Sequence, residues 1–252
     1  MPYTLSHPAA VLALGRTRLP MAAMVFGSVV PDFPMFGLTP WSYDFAHSWS
    51  GVMTADVVAG VVLTVLWVLL VRDAMAAAAP SRLRERLQPA TTYTPRDWWL
   101  VVPSAAIGAV THVAWDELTH GGRWGARHLA WLNQDHFGIE GIHWAQGGSS
   151  VVGGAVVAAF VVRRLMQAGP GASTALAVSA RRVARWGIAT ALVVALAAAV
   201  AGGYSDRYDT IHGMAYVATI YSMPVLVFGL TATSLACRVV TSRPAGADSS
   251  AE

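Results

Sequence analysis

Five long apolar runs dominate the chain, and each is long enough to cross a lipid bilayer as a helix. They cover about residues 50–71, 98–119, 145–166, 186–203 and 212–237. A helix rises about 1.5 Å per residue, so about 20 apolar residues span the hydrocarbon core of a membrane. The pattern therefore predicts an all-α integral membrane protein with about five transmembrane helices.

The segment 1–48 follows a different pattern. Its apolar stretches, 8–15 and 19–30, are too short to span a bilayer, and Arg16 and Arg18 lie between them. No basic region precedes the first apolar stretch, which argues against a cleaved signal peptide. We expect two short N-terminal helices packed on the spanning helices at the outer face of the membrane. A re-entrant pair that adds a crossing is the alternative.

These boundaries describe one helical membrane domain over residues 1–240. The N-terminal segment 1–48 is followed by core helices over 49–166, which carry the candidate site, and by the last two spanning helices over 186–238. Residues 241–252 are small and polar. A segment of this composition buries too little apolar surface to order itself, so we expect a disordered tail.

Composition supports the same class of protein. The chain is 55% hydrophobic and 12% charged, whereas about a quarter of the residues of a soluble domain are charged. The single cysteine, Cys237, lies in the last apolar run and excludes an intramolecular disulfide. All 17 basic residues are arginines, and their positions follow the predicted topology. The positive net charge therefore does not suggest a nucleic-acid partner.

The arginines divide unevenly between the two ends of the predicted spans. Three lie on one side, at Arg123, Arg127 and Arg207, and twelve lie on the other, at Arg72, Arg82, Arg84, Arg86, Arg96, Arg163, Arg164, Arg181, Arg182, Arg185, Arg238 and Arg243. Cytoplasmic loops carry the excess of basic residues. We therefore expect a multi-pass protein of the plasma membrane with a cytoplasmic C-terminus and an extracytoplasmic layer of histidines and acids.

Three ionisable residues recur at every fourth position at the end of the second predicted span. His112, Asp116 and His120 face one way, because each step of four residues turns a helix by about 40° beyond a full turn. Ionisable groups are costly in lipid and mark functional sites there. Histidine and aspartate are also ligands of zinc, manganese and iron. The outer two lie about 12 Å apart along the axis, so one ion cannot bind both, but Asp116 could bridge two ions.

Further motifs accompany this helix. They are Ser6-His-Pro-Ala-Ala10, Gly27-Ser-Val-Val-Pro-Asp-Phe-Pro34, Phe45-Ala-His-Ser-Trp49, Gly122-Arg-Trp-Gly125 and Gln146-Gly-Gly-Ser-Ser-Val-Val-Gly153. In this order they closely resemble an uncharacterised family of bacterial multi-pass membrane proteins, defined by a domain of unknown function. The resemblance covers about residues 1–165 and implies no established activity.

A more distant resemblance implies a chemistry. The order His, Asp, His, then His-x3-Asp, then His is similar to that of membrane-bound metal-dependent hydrolases and of the trinuclear zinc site of bacterial zinc phospholipases C. It implies metal ligands at His7, Asp32, His47, His112, Asp116, His120 and His143. Our own alternative for Asp32 is that it orients a ligand or acts as the general base. The chain lacks the expected carboxylate after His143, where Gln146 stands nearby. An unprocessed Met1 would also not supply the N-terminal amine ligand. The resemblance therefore implies a mononuclear or dinuclear site.

These features predict a metal-dependent hydrolase that acts on a lipid or lipid-linked phosphoester, with zinc as the expected divalent metal and membrane lipids as partners. The alternative is a non-catalytic membrane protein, either a small-solute transporter or an assembly scaffold. In that case His112 and Asp116 would form a structural hydrogen bond between helices. Asp56 is the one acid deep in a predicted span, and we expect it to make a buried helix–helix contact.

Overall fold

The computed structural model describes residues 3–87, 92–169, 178–205 and 211–242. Helices account for nearly all of its regular structure. Residues 243–252 of the predicted disordered tail lie outside the described residues, whereas Thr241 and Ser242 belong to the last helix.

Short helical pieces make up the N-terminal segment. They are a 3-10 turn at Thr4–Ser6, helix α1 (Pro8–Leu12), a 3-10 turn at Ala13–Arg16, helix α2 (Met21–Gly27), a 3-10 stretch at Val30–Phe36 and helix α3 (Tyr43–Ala46). Pro8 starts α1, where its fixed φ suits the first helical position. Helices α1 and α2 pack on each other and on the helix that begins at Pro95. The prediction of short helices packed on a spanning helix is confirmed, and their position at the outer face stays a prediction.

The longer elements follow in order: α4 (Trp49–Ala78), α5 (Ser81–Arg84), α6 (Pro95–Thr119), α7 (Trp124–His128), strands β1 (Asp135–His136) and β2 (Ile139–Glu140), α8 (Gly141–Gln167), α9 (Val178–Ser205) and α10 (Ile211–Ser242). The two strands form an antiparallel pair, and a 3-10 turn at Ala130–Asn133 precedes them. Within α4, the segments Val52–Asp56 and Trp67–Val71 are π-helical turns. Five of these helices are long and apolar enough to cross a membrane, as predicted.

Several helices begin before their apolar runs, because polar residues there favour or cap a helix start. Helix α6 begins with a capping box. The Thr94 hydroxyl accepts from the backbone N–H of Asp97, and the Asp97 carboxylate accepts from the backbone N–H of Thr94. The Ser48 hydroxyl caps α4 by accepting from the Gly51 N–H at 3.0 Å. Helix α9 starts before its apolar run, in an arginine-rich segment, because arginine is a good helix former.

The chain divides into two compact units. The first comprises Met1–Met35, Thr39–Thr64 and Thr92–Arg164, and the second comprises Phe36–Leu38, Val65–Thr91 and Leu165–Glu252. In the first unit, α2 packs along α6. In the second, α9 and α10 pack along each other and against the last turns of α4. The single domain over residues 1–240 stays a prediction.

Glycines bring α2, α4 and α6 into close contact in the first unit. A Cβ on Gly27 would overlap the carbonyl oxygen of Ala105, and a Cβ on Gly108 would overlap that of Met24. A Cβ on Gly60 would lie 3.1 Å from the Ala105 Cβ. Small residues permit such approach between membrane helices. The end of α2 is thereby held against α6 one turn before the first histidine of that helix.

Candidate metal centre

Five ionisable side chains from separate segments lie buried together around the end of α6. His7 precedes α1, Asp32 lies in the 3-10 stretch Val30–Phe36, His47 follows α3, and His112 and Asp116 belong to α6. Each of the five is at most 4% exposed. Histidine and aspartate are buried to this degree only when hydrogen bonds, charges or metal ions compensate for the lost hydration.

Asp32, His47, His112 and Asp116 form the tightest group, in which one ligand atom from each residue lies within 4.8 Å of all the others. The Nε2 atom of His47 lies 3.1 Å from Oδ2 of Asp116. The Nε2 atom of His112 lies 3.4 Å from Asp116 Oδ2 and 3.4 Å from Asp32 Oδ1. Two imidazoles and two carboxylates suit zinc, manganese and iron. The group could therefore bind a metal ion, and its donors do not select one metal among these.

Backbone carbonyls orient both imidazoles of this group. The Nδ1 atom of His112 lies 2.8 Å from the carbonyl oxygen of Ser28, and Nδ1 of His47 lies 3.0 Å from that of Tyr43. Because a carbonyl oxygen only accepts, each Nδ1 carries a proton and donates. In a neutral ring, Nε2 then directs its lone pair at carboxylate oxygens. A cation between these atoms removes the repulsion, and metal-bound histidines are commonly oriented in this way.

A second, looser group surrounds the other carboxylate oxygen of Asp116. Its Oδ1 lies 3.3 Å from Nδ1 of His120 and 3.6 Å from Nε2 of His7. Among the described residues, Asp116 Oδ1 and both ring nitrogens of His120 are buried without a hydrogen-bond partner. The His7 ring stacks on the His112 ring, with centroids 3.8 Å apart. Asp116 thus has one oxygen facing each group, so it could bridge two ions.

Two residues that the sequence analysis missed hold the carboxylates in place. The Thr4 hydroxyl donates to Asp32 Oδ2 at 2.5 Å, which leaves Oδ1 facing His112. The Tyr43 hydroxyl donates to Asp116 Oδ2 at 3.4 Å, and its ring stacks on that of His47. Their positions three residues before His7 and four residues before His47 are the only signals in the sequence, and such spacings are common without a site.

Burial and nearby charges set the protonation of the residues outside the spanning helices. Burial, reinforced by His112, lowers the pKa of His7 from 6.5 to about 3. Burial would raise the pKa of Asp32, but the nearby His112 imidazole and the hydrogen bond from Thr4 outweigh it and hold this pKa below its usual value. Burial and the charge of Asp116 raise the pKa of Tyr43. At neutral pH His7 is neutral and Asp32 is ionised, which are the forms that bind metals.

The predicted ligand His143 and two other residues considered in the sequence analysis do not belong to the four-ligand group. His143 stands in the first turn of α8 with an exposed side chain and does not belong to either group. Asp56 is fully buried in the π-helical turn Val52–Asp56, and neither of its oxygens has a hydrogen-bond partner among the described residues. It is not one of the four grouped ligands. Met1, whose amine the resemblance considered as a ligand, lies outside the described residues.

Comparison with known proteins defines the family and leaves the chemistry open. No curated protein and no solved structure matches the chain. The resemblance to zinc phospholipases C therefore rests on the order of the motifs alone. A family described as a domain of unknown function (DUF4184) matches residues 1–242. This match extends beyond the motif region 1–165 and includes the last two spanning helices. The chain therefore belongs to the DUF4184 family.

Proposed function

We propose that this protein is a metal-dependent hydrolase that holds its metal with Asp32, His47, His112 and Asp116. The observation that supports the proposal is the convergence of four buried ligand atoms within 4.8 Å of one another. They come from three separate segments, so the fold must bring them together against the cost of burying ionisable groups. Zinc is the metal that the resemblance to zinc phospholipases C favours, and the histidine and carboxylate ligands suit it as they suit manganese and iron.

A second ion would lie beside Asp116 Oδ1, held by His120 and His7, which lie 3.3 Å and 3.6 Å from that oxygen. A bound metal ion would lower the pKa of a coordinated water and polarise a phosphoryl oxygen of the substrate. Thr4 occupies only Oδ2 of Asp32. The Oδ1 atom has no hydrogen-bond partner among the described residues and lies 3.4 Å from Nε2 of His112, so it is free to bind the metal. We therefore assign Asp32 as a metal ligand and not as the general base.

We propose a lipid or lipid-linked phosphoester as the substrate. Two of the ligands, His112 and Asp116, lie in the last turns of α6, a helix long enough to cross a membrane, and His120 directly follows that helix with a partly exposed side chain. The end of a spanning helix lies at the level of the lipid headgroups. In the proposed topology, the arginine distribution places this end outside the plasma membrane and the C-terminus inside. A reporter inserted near Asp135 should then be extracytoplasmic, and one after Arg84 should be cytoplasmic.

Elemental analysis and hydrolysis assays on detergent-purified protein test the proposal. We expect stoichiometric zinc in the wild-type protein and in His143→Ala, which removes an exposed histidine, and none in Asp116→Ala. Hydrolysis of bis(p-nitrophenyl) phosphate and of defined phospholipids should follow the metal content. Wild-type protein without metal would overturn the proposal. Full metal content with no turnover of any phosphoester would overturn the hydrolase and leave a metal site.

One observation favours the alternative of a non-catalytic scaffold. The Nε2 atom of His112 lies 3.4 Å from both Asp32 and Asp116, so a proton on this nitrogen would pair one imidazolium with two carboxylates. Such a buried network can fix the packing of helices. The scaffold predicts no metal in the wild-type protein and a similar loss of thermal stability in His112→Ala and Asp116→Ala.

A further inference from the structure

We propose that the second unit binds the phosphate headgroup of an anionic phospholipid at Arg181, Arg182 and Arg185, in the first turns of α9. These residues line an open cavity of about 550 Å³ together with Trp186 and Ala189. The site consists of residues of the second unit only, so it does not depend on the metal centre.

Packing of three helix ends gathers positive charge in this part of the unit. Ala74 of α4, Ala184 of α9 and Cys237 of α10 form a buried apolar cluster. The Cys237 thiol also donates to the carbonyl oxygen of Ala180 at 3.5 Å. The cluster therefore holds the last turns of α4 and α10 beside the first turns of α9. Arg72 and Arg238 lie within two residues of Ala74 and Cys237 in the sequence. They therefore lie at the same end of the unit as the three arginines of the cavity.

The arginines of the cavity have an N–H donor and positive charges that no described group balances. The Nε atom of Arg181 is buried and has no hydrogen-bond partner within the described part of the chain. Within the described part of the second unit the acids are Asp73, which pairs with Arg72 at 3.1 Å, and Glu85. No ion pair joins any of the three cavity arginines to a described acid. A phosphate group would satisfy the buried N–H and balance the charge, because guanidinium groups bind phosphate oxygens in pairs.

The surface that continues from the cavity favours a lipid over a free phosphate ion. Trp186 is 71% exposed, and tryptophan is enriched where spanning helices meet the headgroup layer. The same face of α9 continues through Ala189, Val193 and Leu196, all exposed, at helical spacings of three and four residues. Acyl chains can lie along this apolar stripe while the phosphate contacts the arginines. Basic pockets at the ends of spanning helices bind anionic headgroups in this way.

Native mass spectrometry of the detergent-purified full chain tests this site. The protein is mixed with phosphatidylglycerol or phosphatidylcholine of matched acyl chains, and the bound lipid is measured. We expect at least a tenfold preference of the wild-type protein for phosphatidylglycerol. The triple variant Arg181→Gln/Arg182→Gln/Arg185→Gln should lose this preference. The charge-matched control Arg96→Gln/Arg163→Gln/Arg164→Gln, which changes exposed arginines of the first unit, should keep it.

Three outcomes would overturn the site. The first is equal binding of the two lipids by the wild-type protein, and the second is an equal loss of preference in the control. The third is protection from thermal unfolding by inorganic phosphate without any lipid preference; this result would indicate an ion site. If the triple variant does not fold, the single variant Arg182→Gln, which changes an exposed side chain, replaces it. It should lower the preference several-fold, and an unchanged preference would count against the site.

Discussion

Gly108 connects helix packing with the candidate metal centre, because it lies one turn before His112 on α6. A methyl group at this position would overlap the carbonyl oxygen of Met24 and lie 2.7 Å from the backbone nitrogen of Ser28. Both atoms belong to the backbone, so rotation of a side chain cannot relieve the overlap and α2 must move. The Ser28 carbonyl accepts from His112 Nδ1 at 2.8 Å. Movement of α2 in Gly108→Ala therefore displaces the group that orients this ligand.

The expected size of the effect follows from these contacts. Overpacking of a tight contact costs about 1–3 kcal/mol. Loss of the hydrogen bond to His112 lowers the free energy of unfolding by about 1 kcal/mol more, and the better helix propensity of alanine raises it by about 1 kcal/mol. The free energy of unfolding should therefore fall by about 1–3 kcal/mol in Gly108→Ala. Loss of a group that orients a metal ligand lowers metal affinity by about 10–100-fold.

A zinc titration against a competing chelator, together with the melting temperature in detergent, measures both effects. The matched control is Gly148→Ala on α8, because a Cβ there would have no neighbour within 4 Å. This control should retain wild-type zinc affinity and be no less stable. Wild-type zinc affinity in Gly108→Ala, with a lowered melting temperature, would refute the link between α2 packing and the site. An unchanged melting temperature would refute the tight packing itself.

Three further changes test individual groups. Asp116→Ala should abolish zinc binding, whereas His120→Ala should remove only the ion beside Oδ1; elemental analysis that finds equal losses would contradict the bridging role. Asp56→Asn should keep full metal content, because Asp56 lies outside the four-ligand group, and metal loss would place it among the ligands. Burial lowers the pKa of His7 from 6.5 to about 3, so between these values the unfolded chain binds a proton that the folded protein excludes. Melting temperatures should therefore fall as the pH drops from 7 toward 4, and fall less in His7→Gln; identical pH profiles would contradict this assignment.

The spanning helices could be predicted from the sequence because their signal is local. A run of apolar residues long enough to cross a bilayer has few other uses, and all five runs lie within helices. The ends of the helices were less predictable, since polar residues extend them. Helix α9 begins at Val178 and not near residue 186, because the intervening arginines favour a helix although they are not apolar.

The candidate site could be predicted only in part. His112, Asp116 and His120 share one helix, so their spacing alone indicated a common direction. Asp32 and His47 join them through the packing of distant segments, which spacing cannot show. His143 came from the resemblance alone, and the structure leaves it exposed.

The groups that orient the ligands were the hardest to predict. The carbonyl of Ser28 orients His112 through the backbone, and any residue at that position would supply the same oxygen. The roles of Thr4 and Tyr43 likewise depend on where the fold places them. Such contacts follow from tertiary packing and leave no distinct pattern of residue types in the sequence.

Zinc K-edge X-ray absorption on the purified wild-type protein examines the proposed metal site itself, because it reports the atoms that surround the metal. We expect a first shell of nitrogen and oxygen at about 2.0–2.2 Å with the outer-shell scattering of imidazole, and loss of this signal in Asp116→Ala. A sulfur shell at about 2.3 Å, which would require Cys237, or the same spectrum in Asp116→Ala would contradict it.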